Sequence, residues 1–147
     1  MRRSILALTF VAAAMPFFTM APAIAGGTPT LTQPDTLAWM PAAGLPPGAQ
    51  AAVLYGDPSK QGLFAIRFKF PAGYEIPTHS HPTDEFITVI SGKGRMAFGE
   101  NATADEAKPL VAGTFMVLPA GAWHHLWIDD ETVVELHSMG PFATHLH

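Results

Sequence analysis

Short apolar strands, separated by turn-forming residues, are the feature that most constrains the fold of this chain. Residues 62–70 give the clearest example, because four large apolar side chains share one face and both basic residues of the run lie on the other. A period of two indicates a half-buried β-strand. Further strands are predicted at 51–55, 74–79, 85–91, 95–99, 114–118, 123–128 and 132–138. We find no long amphipathic helix, so the sequence predicts an antiparallel all-β domain, either a closed barrel or two packed sheets.

The segment Gly-Lys-Gly at 92–94 predicts a tight turn, because glycine tolerates positive φ. We therefore expect 95–99 to pair back onto 85–91 as a β-hairpin. After its first residue, the strand 85–91 carries no charge on either face. We expect one face to lie in the core and the other to be covered by a further sheet or subunit.

Two histidines, His79 and His81, stand one residue apart in an extended run. Residues i and i+2 of a strand point to the same face, so both imidazoles can reach one metal ion. Glu85 follows across a turn, and His124 in a later strand supplies a third imidazole. Three neutral nitrogens and one carboxylate suit a divalent first-row transition metal. We predict His79, His81, Glu85 and His124 as the metal ligands.

The spacing of these residues resembles the two sequence motifs of the cupin family. Residues 73–92 read G-x5-HxH-x3-E-x6-G, and residues 113–124 read G-x5-PAG-x2-H. The second motif usually ends in Asn four residues later, where this chain has Ile128. The resemblance implies a cupin-type double-stranded β-helix, an antiparallel jelly-roll barrel that is commonly dimeric. It also implies one bound divalent ion, with Fe, Mn, Ni, Cu and Zn all open.

Strand parity predicts an apolar pocket beside the ion. If Glu85 and His124 point inward, alternate residues of the same two strands do so as well. The predicted substrate-contacting residues are Ile87, Val89, Leu126 and Ile128. Such a pocket favours a small hydrophobic or aromatic compound with one or two oxygens over a charged sugar acid. Glu85 is also the candidate general base.

Four further histidines lie in or after the predicted strands. His125 has the opposite parity to His124, so we expect it at the surface or an interface. His137 shares a face with Glu135, and apolar residues on the alternative face favour an exposed position over one in the cavity. His145 and His147 lie in the C-terminal tail, where we expect no site.

Residues 1–25 have the features of a Sec-type signal peptide. A short basic start precedes an apolar run, and Ala23 and Ala25 form an A-x-A cleavage site. An uncleaved membrane anchor is the alternative, and Pro16 and the short apolar run disfavour it. We expect a flexible linker at 26–35 and the barrel domain at 36–147. The mature protein is then periplasmic or secreted, with no membrane attachment after cleavage.

Composition narrows the classes of partner. Without residues 1–25, six basic residues face twelve acidic ones, a formal charge of −6. This disfavours nucleic acid and anionic lipid surfaces, which bind basic patches. The chain has no cysteine, which excludes disulfides, zinc-thiolate sites and cysteine nucleophiles. We expect a small-molecule ligand and a homodimer.

Functions of different classes remain open from the sequence. As an enzyme, the protein is a metal-dependent dioxygenase, or a non-redox isomerase or lyase. As a binding module, it stores or senses a small ligand without turnover; an inert structural barrel is the third possibility. The resemblance does not choose among these, because this fold supports many reactions.

Overall fold

The computed structural model of the protein describes residues 28–147, and residues Thr32–His147 form one compact unit. The predicted signal peptide lies outside the described residues. Within 28–147, no helix is both long enough and apolar enough to cross a membrane. Two single-turn 3₁₀ segments, Pro34–Thr36 and Ala104–Glu106, are the helical elements of this range.

Eleven strands make up most of the regular structure of the described range. They are β1 Met40–Pro41, β2 Gln50–Tyr55, β3 Gly62–Phe70, β4 Glu75–Ser80, β5 Glu85–Ser91, β6 Lys93–Phe98, β7 Lys108–Val111, β8 Phe115–Leu118, β9 His124–Ile128, β10 Thr132–Gly140 and β11 His145–Leu146. They form a six-stranded sheet in the order β1-β2-β3-β10-β5-β8 and a five-stranded sheet in the order β11-β4-β9-β6-β7. Neighbouring strands pair antiparallel, which confirms the predicted all-β jelly-roll architecture.

The predicted hairpin between 85–91 and 95–99 is wrong. Strand β5 pairs with β10 and β8, whereas β6 pairs with β9 and β7 in the other sheet. Gly92 has a φ of 85°, as expected for a glycine turn, but the turn carries the chain from one sheet to the other. A side chain at Gly92 would collide with the backbone of Glu131 and Thr132. The glycine therefore serves a close crossover between the sheets.

The core lies between the two sheets. The period-two pattern of β3 is confirmed, because Phe64, Ile66 and Phe70 are buried in the core. On the opposite face, Arg67 Nε donates a hydrogen bond of 2.8 Å to Glu135 on β10. Replacing the fully buried Phe64 with alanine would cost about 3–5 kcal/mol of stability.

The outer face of β5 and β8 carries exposed apolar side chains. Phe86 and Ile90 on β5 are 42% and 43% exposed, and Phe115 and Val117 on β8 are 61% and 46% exposed. The register places Phe86 opposite Val117. The second sheet of the same chain therefore covers only the inner face of β5.

Candidate metal centre

Four buried side chains meet at one end of the barrel. His79 lies in β4 and His81 directly follows that strand, while Glu85 begins β5 and His124 begins β9. Their exposures range only from 2% to 6%. In the three histidines, ligand nitrogens lie within 4.8 Å of one another. The structure thus brings together all four residues that the sequence singled out as ligands.

Each histidine of the cluster has its Nδ1 atom engaged by a backbone carbonyl. The acceptors are Pro77 O for His79 at 2.7 Å, Ala143 O for His81 at 2.8 Å, and Ala122 O for His124 at 2.9 Å. Because a carbonyl oxygen only accepts, each Nδ1 donates. A neutral imidazole with a proton on Nδ1 keeps its lone pair on Nε2. This is the tautomer required of a metal ligand that is oriented by a second hydrogen bond.

Glu85 lies beside this group of nitrogens. Its two carboxylate oxygens are 3.5 Å from His81 Nε2 and 3.9 Å from His124 Nε2. Burial raises the pKa of Glu85 to about 8. Burial also lowers the pKa of His79 to about 3 and that of His81 to about 4, and it lowers the pKa of His124. At neutral pH the site therefore holds uncharged imidazoles.

The donor set fits a divalent cation. Three neutral nitrogens already have the protonation state that a metal requires. The one carboxyl group is costly to ionise alone in this buried setting, and a cation among the four groups would stabilise its charged form. Residues of these types at these positions match the preferences of first-row transition metals.

Two turns that carry the ligands are tied together by hydrogen bonds. The Asp84 carboxylate accepts a bond of 2.8 Å from Ala120 N, and the His81 carbonyl accepts one of 2.8 Å from Gly121 N. Ser138 Oγ donates to the Asp84 carbonyl at 2.7 Å. These bonds fix the turn before Glu85 against the turn before His124. Gly121 belongs to the second sequence motif, but nothing in either motif indicated the role of Asp84.

A cavity of about 730 Å³ extends from the cluster through the barrel. Apart from the histidines and Glu85, the lining is largely apolar. Ile87 and Leu126 line the cavity, as their parity predicted. Val89 and Ile128 are buried in the core but do not line it. Parity gives the direction of a side chain, but not its height along the barrel, and these two residues lie in the packed layer.

The C-terminal tail contributes to the site, which the sequence did not indicate. The Phe142 ring stacks on the His81 ring, with centroids 4.6 Å apart and an interplanar angle of 12°. Phe142, Ala143 and Thr144 all line the cavity. No motif covers these residues, and their contacts with His81 depend on the folded barrel. The tail histidines themselves are exposed.

His125 and His137 lie on the outer faces of the two sheets. His125 Nε2 is 2.6 Å from a Glu75 carboxylate oxygen, and its ring stacks on Trp127 with centroids 3.8 Å apart. His137 Nε2 is 2.9 Å from a Glu135 oxygen, and its side chain is 45% exposed. Both histidines thus point away from the cavity, as strand parity predicted, although the His125 side chain is only 13% exposed.

Comparison with known families identifies the class of this barrel. Residues 66–140, more than half of the chain, match the family model of the cupin domain. The chain therefore belongs to the cupin family. No curated protein matches it at a significant level.

Several solved structures share the fold at low sequence identity. The polyketide cyclase RemF from Streptomyces resistomycificus has a TM-score of 0.68 and 11% identity over 81% of this chain and 85% of that chain. KdgF from Halomonas sp. has a TM-score of 0.61 and 20% identity over 75% of this chain and 94% of that chain. Salicylate 1,2-dioxygenase from Pseudoaminobacter salicylatoxidans, in its adducts with gentisate, has a TM-score of 0.56 and 19% identity. It is aligned over 69% of this chain but only 30% of its own.

Proposed function

We propose that this cupin is a metal-dependent enzyme of the oxygenase type, acting on a small, rather apolar compound that carries one or two oxygens. The observation that carries the proposal is the orientation of the cluster. Three histidines present free Nε2 atoms beside Glu85 at the polar end of an apolar cavity. Salicylate 1,2-dioxygenase and a polyketide cyclase have the same fold, which is compatible with this type of chemistry.

The roles of the residues follow from their surroundings. A divalent ion held by His79, His81 and His124 would supply Lewis acidity and, as iron, manganese, nickel or copper, access to oxygen chemistry. Glu85 either adds a carboxylate oxygen to the ion or accepts a proton from a ligand hydroxyl group. Burial raises the pKa of Glu85 to about 8 in the metal-free site, and a cation at the histidines would lower it and favour the ionised form that accepts a proton.

The cavity wall supports the proposed class of substrate. Within the described range, the lining includes neither lysine nor arginine to pair with a ligand carboxylate. Apart from the proposed metal ion, a uronate would find no cationic partner there, and its hydroxyl groups would lose their hydration against a largely apolar wall. A catechol or a diketone would place its oxygens near the histidines and its carbon skeleton against Ile87, Met116 and Leu126.

Binding without turnover is the second candidate. Among the described residues that line the cavity, the three histidines and Glu85 are the only titratable ones. Once Glu85 serves as a ligand, the cavity offers no further general base. This observation favours a metal-containing module that stores or senses a small ligand. With Glu85 as the single proton-transfer group, the same site also suits a non-redox isomerase or lyase.

Oxygen uptake separates these candidates. Protein without a His-tag is loaded in turn with Fe, Mn, Ni, Cu or Zn and screened with catechols and diketones. Oxygen consumption that is lost in His81→Ala and kept in the outer-face control His125→Ala supports the oxygenase. Conversion without oxygen uptake supports the isomerase or lyase. Ligand binding with no turnover under any metal contradicts the enzyme and supports the binding module.

The proposed setting of the protein is outside the cytoplasm. The basic start, apolar run and A-x-A site of residues 1–25 support export to the periplasm or medium. Mass spectrometry of protein recovered from a Gram-negative periplasm is expected to show a chain that begins at Gly26. A full-length chain recovered only with membranes would contradict this.

The proposed assembly is a homodimer. The exposed apolar side chains on the outer face of β5 and β8, among them Phe86 and Phe115, support a sheet-to-sheet contact with a second copy.

A further inference from the structure

The three histidines of the cluster differ in how their orientation is fixed. His79 and His124 each donate from Nδ1 to a carbonyl two residues earlier, at Pro77 and Ala122. Each of these bonds joins residues two positions apart, so it depends on the local course of the backbone. His81 instead donates to the carbonyl of Ala143, which is 62 residues away along the chain. One of the three candidate ligands therefore depends on the C-terminal segment, defined here as residues 141–147.

The C-terminal segment is held against the site at several points. Phe142 N donates to Pro58 O at 2.7 Å, and the Phe142 ring makes an edge contact with Phe64 at a centroid distance of 5.4 Å. Strand β11 then pairs with β4, with Leu146 opposite His79. His147 N donates to Thr78 O at 3.0 Å. The segment is thus anchored on both sides of Ala143.

The two contacts to His81 fix different properties of its ring, the position of the proton and the orientation of the ring plane. The Ala143 carbonyl fixes the proton on Nδ1 and leaves the lone pair on Nε2. The Phe142 ring lies nearly parallel to the imidazole and covers one of its faces, which limits rotation of the side chain. Without both contacts, the Glu85 oxygen 3.5 Å from His81 Nε2 would be the remaining polar neighbour of this ring described above.

We propose that the C-terminal segment is a positioning element for the metal centre, with the Ala143 carbonyl setting the tautomer of His81 and the Phe142 ring setting its orientation. This inference rests on the proposed metal binding and extends it to residues outside both cupin motifs. Outer hydrogen-bond partners of metal ligands typically contribute 10–100-fold in affinity.

Three variants test the role of the segment. A chain that ends at Pro141 removes both contacts, Phe142→Ala removes the stacked ring, and Leu146→Ala is the matched control because Leu146 is exposed in the same segment. Titration with Co²⁺ or Zn²⁺ is expected to show affinity lowered about 10–100-fold by the truncation. Phe142→Ala should lower metal affinity less than the truncation does. The control Leu146→Ala should change it by no more than about twofold.

A second measurement distinguishes positioning from a general loosening of the barrel. Nitrogen-15 NMR of the metal-free protein reports the tautomer of each histidine ring. We expect a proton on Nδ1 for all three in the intact chain. In the truncated chain, His81 should become a mixture of tautomers while His79 and His124 stay unchanged.

Each outcome decides the inference. Unchanged affinity and an unchanged His81 tautomer in the truncated chain would overturn it, as would equal disturbance of all three histidines. If the truncated chain does not fold, metal affinity and the His81 tautomer are measured in Phe142→Ala instead, and the same criteria apply. If the intact protein binds no metal, the proposed function fails, but the tautomer of His81 still tests the positioning by the segment.

Discussion

His79 and His124 lie directly opposite each other in the pairing of β4 with β9, with ring centroids 4.1 Å apart. The register of this pair shifts between Ile76 and His79, where Pro77 interrupts the ladder. In regular alternation Ile76 and His79 would point to opposite faces, but the bulge turns both toward the interior. The carbonyl of Pro77 then receives the Nδ1 proton of His79. A local irregularity of β4 therefore both aims this histidine and sets its tautomer.

Removal of a clustered histidine should abolish stable metal binding. We expect His79→Ala and His124→Ala each to weaken binding by more than the 10–100-fold typical of outer contacts, because a direct ligand is lost. His125→Ala is the control, since that ring lies on the outer face and pairs with Glu75. Metal content after dialysis and competition with a chelator measure the effect. Equal binding by His79→Ala and the control would contradict the assignment.

Stability of the metal-free protein should pass through a maximum near pH 6.5. The folded-state pKa of His79 and His81 is lowered to about 3 and 4, so below pH 6.5 the unfolded chain takes up protons that the folded one does not. The pKa of Glu85 is raised to about 8, so the stability from its buried neutral form is lost as pH rises from 4.5 to 8. Each group contributes up to about 1.4 kcal/mol per pH unit.

The variant Glu85→Gln shows how much of this pH dependence of stability comes from the Glu85 carboxyl group. Chemical denaturation of metal-free protein from pH 4.5 to 8.5 should show that the variant lacks the decline above pH 6.5. Addition of metal to the unmodified protein should remove the same decline, because a cation stabilises the ionised carboxylate. A decline of equal size in Glu85→Gln would show that other groups cause it.

Residues on the cavity wall and residues in the core should respond differently to substitution. Ile87→Phe adds volume at the wall and is expected to weaken binding of a catechol-like ligand. Ile128→Ala creates a void in the packed layer and is expected to cost about 2–5 kcal/mol of stability without changing ligand preference. Ligand titrations and denaturant unfolding of both variants test this. Altered ligand preference in Ile128→Ala would place that residue at the wall.

The outer face of β5 and β8 should determine the oligomeric state. We expect Phe115→Asp to convert a dimer to a monomer in sedimentation experiments, because it places a charge in the proposed contact. Tyr55→Asp is the control, since Tyr55 is 62% exposed on β2, three strands away from β5. A monomeric unmodified protein, or dimers that tolerate Phe115→Asp, would contradict the proposed interface.

Local patterns in the sequence predicted eight of the eleven strands of the described range and the four clustered residues, but not the short strands β1, β7 and β11. The alternation in β3 and the spacing of the two motifs each depend on a few neighbouring residues, and the folded barrel preserves them. Strand parity also directed Ile87 and Leu126 correctly toward the cavity. The pairing partners of β5 and β6 could not be read from 92–94, because the same glycine turn suits a hairpin and a crossover between sheets.

Features that depend on distant contacts were not predictable. The Ala143 carbonyl reaches His81 because Phe142 and strand β11 anchor the C-terminal segment on both sides of it, and a backbone acceptor leaves no mark on residue type. The protonation of the site is a second such feature, because a solvated histidine has a pKa of about 6.5 and would gain its proton just below neutral pH. Burial lowers the pKa of His81 in the folded protein and raises that of Glu85, which becomes the group that exchanges protons near neutrality.

Anomalous diffraction from crystals of the untagged protein, collected at the absorption edge of its bound metal, is the most direct test of metal binding by the three histidines. We expect one strong peak per chain, about 2.0–2.2 Å from the Nε2 atoms of His79, His81 and His124. The absence of a peak there after soaking with Fe, Mn, Ni, Cu and Zn, or a peak only at the tail residues His145 and His147, would contradict it.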